Sequence, residues 1–128
     1  MKLLLDTHVF LWFISGDARL SALFRGAIQD PNNAAFLSVA SVWETIIKYK
    51  LGKLPLPQSP EIYIPRQRQI HRIKSLPVGE SSLKYLASLP DLHRDPFDRL
   101  LISQTLAHNL TIATVDAEIL KYNVPYLK

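Results

Sequence analysis

The chain has 128 residues, 48% of them apolar, which suits one domain with a real core, spanning 1–128. It has no cysteine, which excludes disulfides and thiolate metal sites and agrees with a reducing cytoplasm. Net charge is +4; no apolar run approaches the about 20 residues that cross a bilayer, so no membrane is expected, and Asp6 and His8 break the opening "MKLLLDTHVFLWFIS" as a signal peptide.

In chain order, "KLLL" reads as a short buried strand, and "VFLWFI", apolar all round, as a buried helical segment ended by Ser15-Gly16. Leu20, Leu23, Phe24, Ala27 and Ile28 follow the spacing of an amphipathic helix. "DPNN" is a turn and "AAFLS" a second strand; a helix then runs from about Val39 to Leu51, with Gly52 as its stop. "LPLPQSP" is a proline-rich loop, followed by a basic helix to about Arg72 whose start Pro65 obscures. "SLPV" is a third strand, Gly79 to Leu89 a helix, and "PDLHRD" a loop. Asp95-Pro96 opens a helix to about His108; "LTIAT" is a fourth strand and "VPYL" a short last one. Strands alternating with helices predict an α/β fold with a parallel sheet covered on both faces.

In such a sheet, ligands bind beyond the carboxyl ends of the strands. Asp6 directly follows "KLLL" and Asp116 lies just past "LTIAT", so both project there, although each also suits a helix N-cap. Glu44 lies in the helix that leaves the second strand. Ser41-x-x-Glu44 matches a capping box, and Glu44 precedes Lys48 by one helical turn, a favourable ion pair. In "HRDPFDR", Asp95 before Pro96 is a natural N-cap. Asp98 then falls at the third helical position; an acid suits the dipole there, but the cap does not need it.

Four separate segments thus deliver Asp6, Glu44, Asp98 and Asp116 to one region. Their mutual repulsion raises carboxyl pKa values unless a cation offsets it, and an oxygen-only donor set favours Mg²⁺ or Mn²⁺. Setting these four aside leaves 7 of the 11 acids against 15 basic residues. From Lys48 to Lys74, Lys48, Lys50, Lys53, Arg66, Arg68, Arg72 and Lys74 face a single acid, Glu61. An acidic pocket in a basic surface fits a metal-dependent enzyme acting on a polyanion, nucleic acid first; the plainer reading of the basic run is a solvated helix face. There is no P-loop, no GxGxxG and no zinc-type histidine pair, and "GESSL" lacks the nucleophile elbow. His8 reads as a helix-start residue and His93 as a loop residue rather than as ligands. Trp12 and Trp43 read as core rather than as base-stacking platforms.

The stretches "LLLDTHVFLW", "SVWETIIKYKLGKLPL", "HRDPFDRLLISQTLAH" and "LTIATVDAEI" resemble the PIN-domain family, and within it the VapC-type toxins of bacterial and archaeal toxin–antitoxin pairs. The resemblance spans essentially the whole chain, with "DPFDRLLI" its most specific part. It implies a three-layer α/β/α fold with a parallel sheet of about five strands, and a Mg²⁺- or Mn²⁺-dependent ribonuclease with one metal or two. Asp6, Glu44 and Asp98 match the family's core acids and Asp116 its more variable fourth; Asp95 belongs to a subgroup motif. Thr7 and Thr114 are expected to orient water or a carboxylate. The implied partners are RNA, a cognate antitoxin that blocks the acidic site, and a second copy of the chain. The basic residues Lys48, Lys50, Lys53, Arg66, Arg68 and Arg72 would hold the RNA backbone. The rival reading is a non-catalytic PIN-like module that binds nucleic acid or a partner. A response-receiver domain lacks its strand-end phosphoacceptor here. A dehalogenase-like phosphatase would need an aspartate where His8 stands.

Overall fold

A computed structural model describes residues 1–128. Four strands, β1 (Lys2–Leu5), β2 (Ala34–Ser38), β3 (Lys74–Leu76) and β4 (Thr111–Ala113), form one sheet in the order β3-β2-β1-β4, and every pairing is parallel. Seven helices connect and cover them: α1 (Thr7–Ser15), α2 (Ala22–Gln29), α3 (Val39–Lys50), α4 (Pro60–His71), α5 (Glu80–Ser88), α6 (Pro96–Ala107) and α7 (Ala117–Leu120).

The alternation within "KLLL" builds the layers. Leu3 and Leu5 face one side of the sheet and Leu4 the other, because successive strand side chains point oppositely. On the first side Leu3, Leu5, Ala35 and Leu37 meet Val9, Phe10 and Phe13 of α1, Phe24 and Ile28 of α2 and Ile64 of α4. On the second, Leu4 and Ile112 meet Leu101 and Ile102 of α6, Ile119 of α7 and the segment Tyr122–Val124. This is the expected α/β/α sandwich.

Three expectations need correction. The sheet has four strands rather than five: "VPYL" contributes one parallel bridge, Ile112 with Tyr126. The Pro125 carbonyl accepts from Ile112 N and Leu127 N donates to Ile112 O, both at 2.9 Å, and Pro125 has no N–H to extend the ladder towards Leu110. Leu23 lies on the outer face of α2, and Trp43 is 59% exposed on α3 rather than in the core. Trp12, by contrast, packs against the core. The start of the basic helix is also settled. Pro60 occupies its first turn, where a missing N–H costs nothing, and the helix runs past Pro65 to end at Arg72 in the left-handed region.

Candidate active site

All four acids lie at or beyond the carboxyl end of the sheet. Asp6 leaves β1 and its N–H donates to Ala113 O of β4 at 3.0 Å, which ties the end of β1 to that of the edge strand β4. Its side chain is buried and, although it stands at the N-cap of α1, makes no capping bond. Instead its Oδ2 accepts from the Thr114 hydroxyl at 2.8 Å. Burial raises its pKa, the Thr114 bond and nearby His8 oppose the rise, and the Asp116 charge adds to it.

Asp116 caps α7. Its Oδ1 accepts from Glu118 N at 2.9 Å, and its own N–H donates to Thr114 Oγ1 at 3.0 Å. Thr114 therefore links two of the acids by hydrogen bonds.

Asp95 caps α6 as expected. A single oxygen accepts from Phe97 N at 2.9 Å and Asp98 N at 3.1 Å. The Asp98 carboxylate is thereby left out of the cap. Its pKa is pushed up to about 7, first by burial and then by the charges of Asp95, Asp6 and Asp116, against a hydrogen bond from His93 that lowers it. Asp6, Asp98 and Asp116 thus share one field.

Glu44 stands apart from them. The N-cap of α3 is Ser38, whose hydroxyl accepts from Ala40 N at 3.0 Å, so the capping box expected at Ser41 is absent. Ser41 lies inside the helix, hydrogen-bonded to the Thr7 hydroxyl at 2.9 Å. Thr7 also donates to Glu44 Oε1 at 2.7 Å, and Lys48 Nζ holds Glu44 Oε2 at 2.9 Å, the anticipated ion pair. Both oxygens of Glu44 are occupied, and it is not among the charges that raise Asp6 or Asp98.

The donor set is oxygen throughout, and no lysine or arginine pairs with Asp6, Asp98 or Asp116, which fits a hard divalent cation. As the side chains lie, no three acids or histidines group closely enough to hold one ion. Ligation would require the carboxylates to move together.

The basic residues divide. Lys48 serves Glu44; Lys50, Lys53, Arg66 and Arg72 are exposed; Arg68 is half-buried, its Nε without a hydrogen-bond partner. Sequence reasoning missed the support behind Asp98. His93 Nε2 lies 3.1 Å from Asp98 Oδ2, and its Nδ1 lies 2.8 Å from the Tyr122 hydroxyl.

A PIN-domain family model matches residues 3–124. The chain belongs to the PIN-domain family. Over 41 residues it is 49% identical to Ribonuclease VapC16 of Mycobacterium tuberculosis, a match that covers 32% of this PIN domain and 29% of that relative. Three solved assemblies share its fold: VapBC2 of Rickettsia felis bound to a promoter DNA fragment (TM-score 0.73, 16% identity, 98% of this chain and 97% of that one), VapBC-1 of Haemophilus influenzae (0.68, 16%, 98% and 96%) and a toxin–antitoxin complex of Klebsiella pneumoniae (0.63, 14%, 98% and 96%).

Proposed function

We propose that this PIN domain is a Mg²⁺- or Mn²⁺-dependent ribonuclease, the toxin of a toxin–antitoxin pair, acting on RNA in the cytoplasm. The observation that carries the reading is the buried grouping of Asp6, Asp98 and Asp116, where burial first and the neighbouring acids second raise the pKa of Asp98 to about 7. Structural ion pairs lower carboxyl pKa values; a cluster that raises them is arranged for a cation or for proton transfer. The local match to a VapC ribonuclease and the fold shared with the VapBC assemblies point the same way.

Asp6, Asp98 and Asp116 would hold the metal, with Glu44 at the edge of the set. When bound, the metal supplies Lewis acidity at a phosphoryl oxygen and a more acidic water. The chain's own residues do the remainder. Thr114 orients Asp6, Thr7 orients Glu44, and Glu44 anchors Lys48, whose half-exposed ammonium can meet a phosphate. The exposed Lys50, Lys53, Arg66 and Arg72 offer the RNA backbone a sequence-independent, salt-sensitive grip.

Two surfaces suit the proposed protein partners. A cleft of about 420 Å³ runs between α1 and the proline-rich loop, lined by Leu11, Trp12, Leu54, Leu56 and Tyr63 and bordered by His8, a neighbour of Asp6. An antitoxin segment seated there would reach the acidic site. Val39, Trp43, Ile47 and Leu51 form an exposed apolar stripe along α3, which a second copy of the chain would cover.

The deciding experiment is cleavage of a defined RNA panel by purified protein, with and without Mg²⁺ and Mn²⁺, beside Asp6→Asn. Metal-dependent cleavage lost in the variant is expected. RNA binding without cleavage by the native chain would establish the non-catalytic module instead.

A further inference from the structure

We propose that His93 is a positioning residue of the acidic site, holding the Asp98 carboxylate in one orientation through a relay backed by Tyr122 and Arg99. The proposal deepens the functional reading above and rests on Asp98 being one of its working acids.

The relay joins two adjoining segments to a third that lies 29 residues from His93 in sequence. His93 belongs to the loop before α6, Asp98 and Arg99 to the first turns of α6, and Tyr122 to the segment after α7. The His93 and Asp98 side chains are only 11% and 13% exposed, and Tyr122 is buried. The hydroxyl of Tyr122 meets His93 Nδ1 at 2.8 Å, Arg99 Nη1 at 2.9 Å and the His93 N–H at 3.3 Å. The same Arg99 nitrogen donates to Pro90 O at 2.9 Å and His93 O at 3.4 Å, fixing the loop that carries the imidazole.

With Asp98 ionised and the imidazole neutral, one proton pattern satisfies the relay. An ionised carboxylate only accepts, so His93 Nε2 carries the proton and donates to Asp98 Oδ2. Nδ1 is then an acceptor, so the Tyr122 hydroxyl must donate to it. The phenol oxygen keeps its lone pairs for the two remaining donors, Arg99 Nη1 and the His93 N–H. Every group has a partner, and the relay has one direction, from Arg99 through Tyr122 and His93 to Asp98.

Helix capping does not account for it. Asp95 already accepts both N–H groups at the start of α6, so Asp98 is free of that duty. The relay ends on a carboxylate whose other close charges are the acids of the site. Groups that hold a metal-binding carboxylate in place are commonly worth about 10–100-fold in metal affinity or activity.

The test uses the full chain with His93→Phe, His93→Gln and Tyr122→Phe. In metal-free protein, ¹⁵N imidazole shifts should show His93 protonated on Nε2 at a pH where Asp98 is ionised, and should move on Asp98→Asn and on Tyr122→Phe. His93→Phe should lower Mn²⁺ affinity, read as the metal-induced melting shift, and kcat by about 10–100-fold, with KM for RNA little changed. His93→Gln, whose amide can donate at a similar reach, should recover most of both. Ring shifts that ignore both substitutions, a folded His93→Phe with native Mn²⁺ affinity and kcat, or a Gln variant no better than Phe would each overturn the proposal. If the native chain neither binds Mn²⁺ nor cleaves RNA, the functional reading fails, and the ring shifts decide the relay.

Discussion

Asp98→Asn separates chemistry from stability more sharply than any other substitution in this domain. The native carboxyl is raised from 3.8 to about 7, so the folded state holds its proton where the unfolded state has released it. Stability is therefore undiminished below about pH 4, is lost as pH rises, and reaches its full deficit above about pH 7. That interval corresponds to at most about 4 kcal/mol; screening at a site open to solvent on one side reduces it to about 2 kcal/mol. Asparagine does not titrate, keeps an oxygen for His93, and forgoes a dipole contribution of about 0.3–1 kcal/mol at the start of α6. In chelator at pH 8 the variant should thus be more stable than the native chain by about 1 kcal/mol, or about 3–5 °C. The advantage should vanish near pH 4. With millimolar-range Mn²⁺ (on the order of the excess that linkage requires) the ranking should reverse, because the native chain gains and the variant does not. Thermal and urea melts from pH 4 to 8, with chelator or Mn²⁺, read all of this beside RNA cleavage. Equal pH slopes in the two proteins would refute the electrostatic argument, and a variant that still cleaves would remove Asp98 from the chemistry.

Asp95→Ala, which strips two N–H groups of their acceptor, should cost about 1 kcal/mol in melts yet keep metal-dependent cleavage wherever it is folded; a stable, inactive variant would show that Asp95 joins the site. Arg66→Gln with Arg72→Gln should lower the salt slope of RNA affinity by about 0.7 for each single-strand phosphate that the variant leaves unneutralised; an unchanged slope would assign these side chains elsewhere. Thr114→Val should destabilise by about 1–3 kcal/mol at neutral pH and less in acid, where a protonated Asp6 needs the hydroxyl less; a pH-independent loss in urea melts would contradict that. Trp43→Glu should turn a dimer into a monomer by light scattering at matched concentration; an unchanged mass would remove the α3 stripe from the interface.

What the sequence showed well was local. "KLLL", "AAFLS" and the Asp95-Pro96 start of α6 are fixed by side-chain alternation and by a proline that accepts only certain positions. The capping box at Ser41 misled because β2 runs into α3 without a loop, and Ser38 ends one and caps the other. Trp43 misled because helical spacing marks an apolar face without saying what covers it. The His93–Tyr122 contact spans 29 residues and obeys no spacing rule; only the packing of the last segment beneath the α6 loop brings it about. "VPYL" had strand composition, but Pro125 caps its pairing at one bridge.

The acids themselves separate into two kinds once their hydrogen bonds are assigned. Asp95 and Asp116 each give an oxygen to backbone N–H groups at a helix start, and removing either leaves donors unsatisfied. Asp6 and Asp98 cap no helix: Asp6 accepts from Thr114, 108 residues away, and Asp98 from His93 on the loop just before α6. Burial raises the pKa of both, so their ionised forms cost stability in the metal-free chain. A carboxylate that caps nothing, weakens the fold on balance when charged and is steadied by a side-chain partner is not explained by local structure. Asp6 and Asp98 are accordingly the two positions at which loss of function and gain of stability should coincide, and Asp116 the one at which both should be lost together.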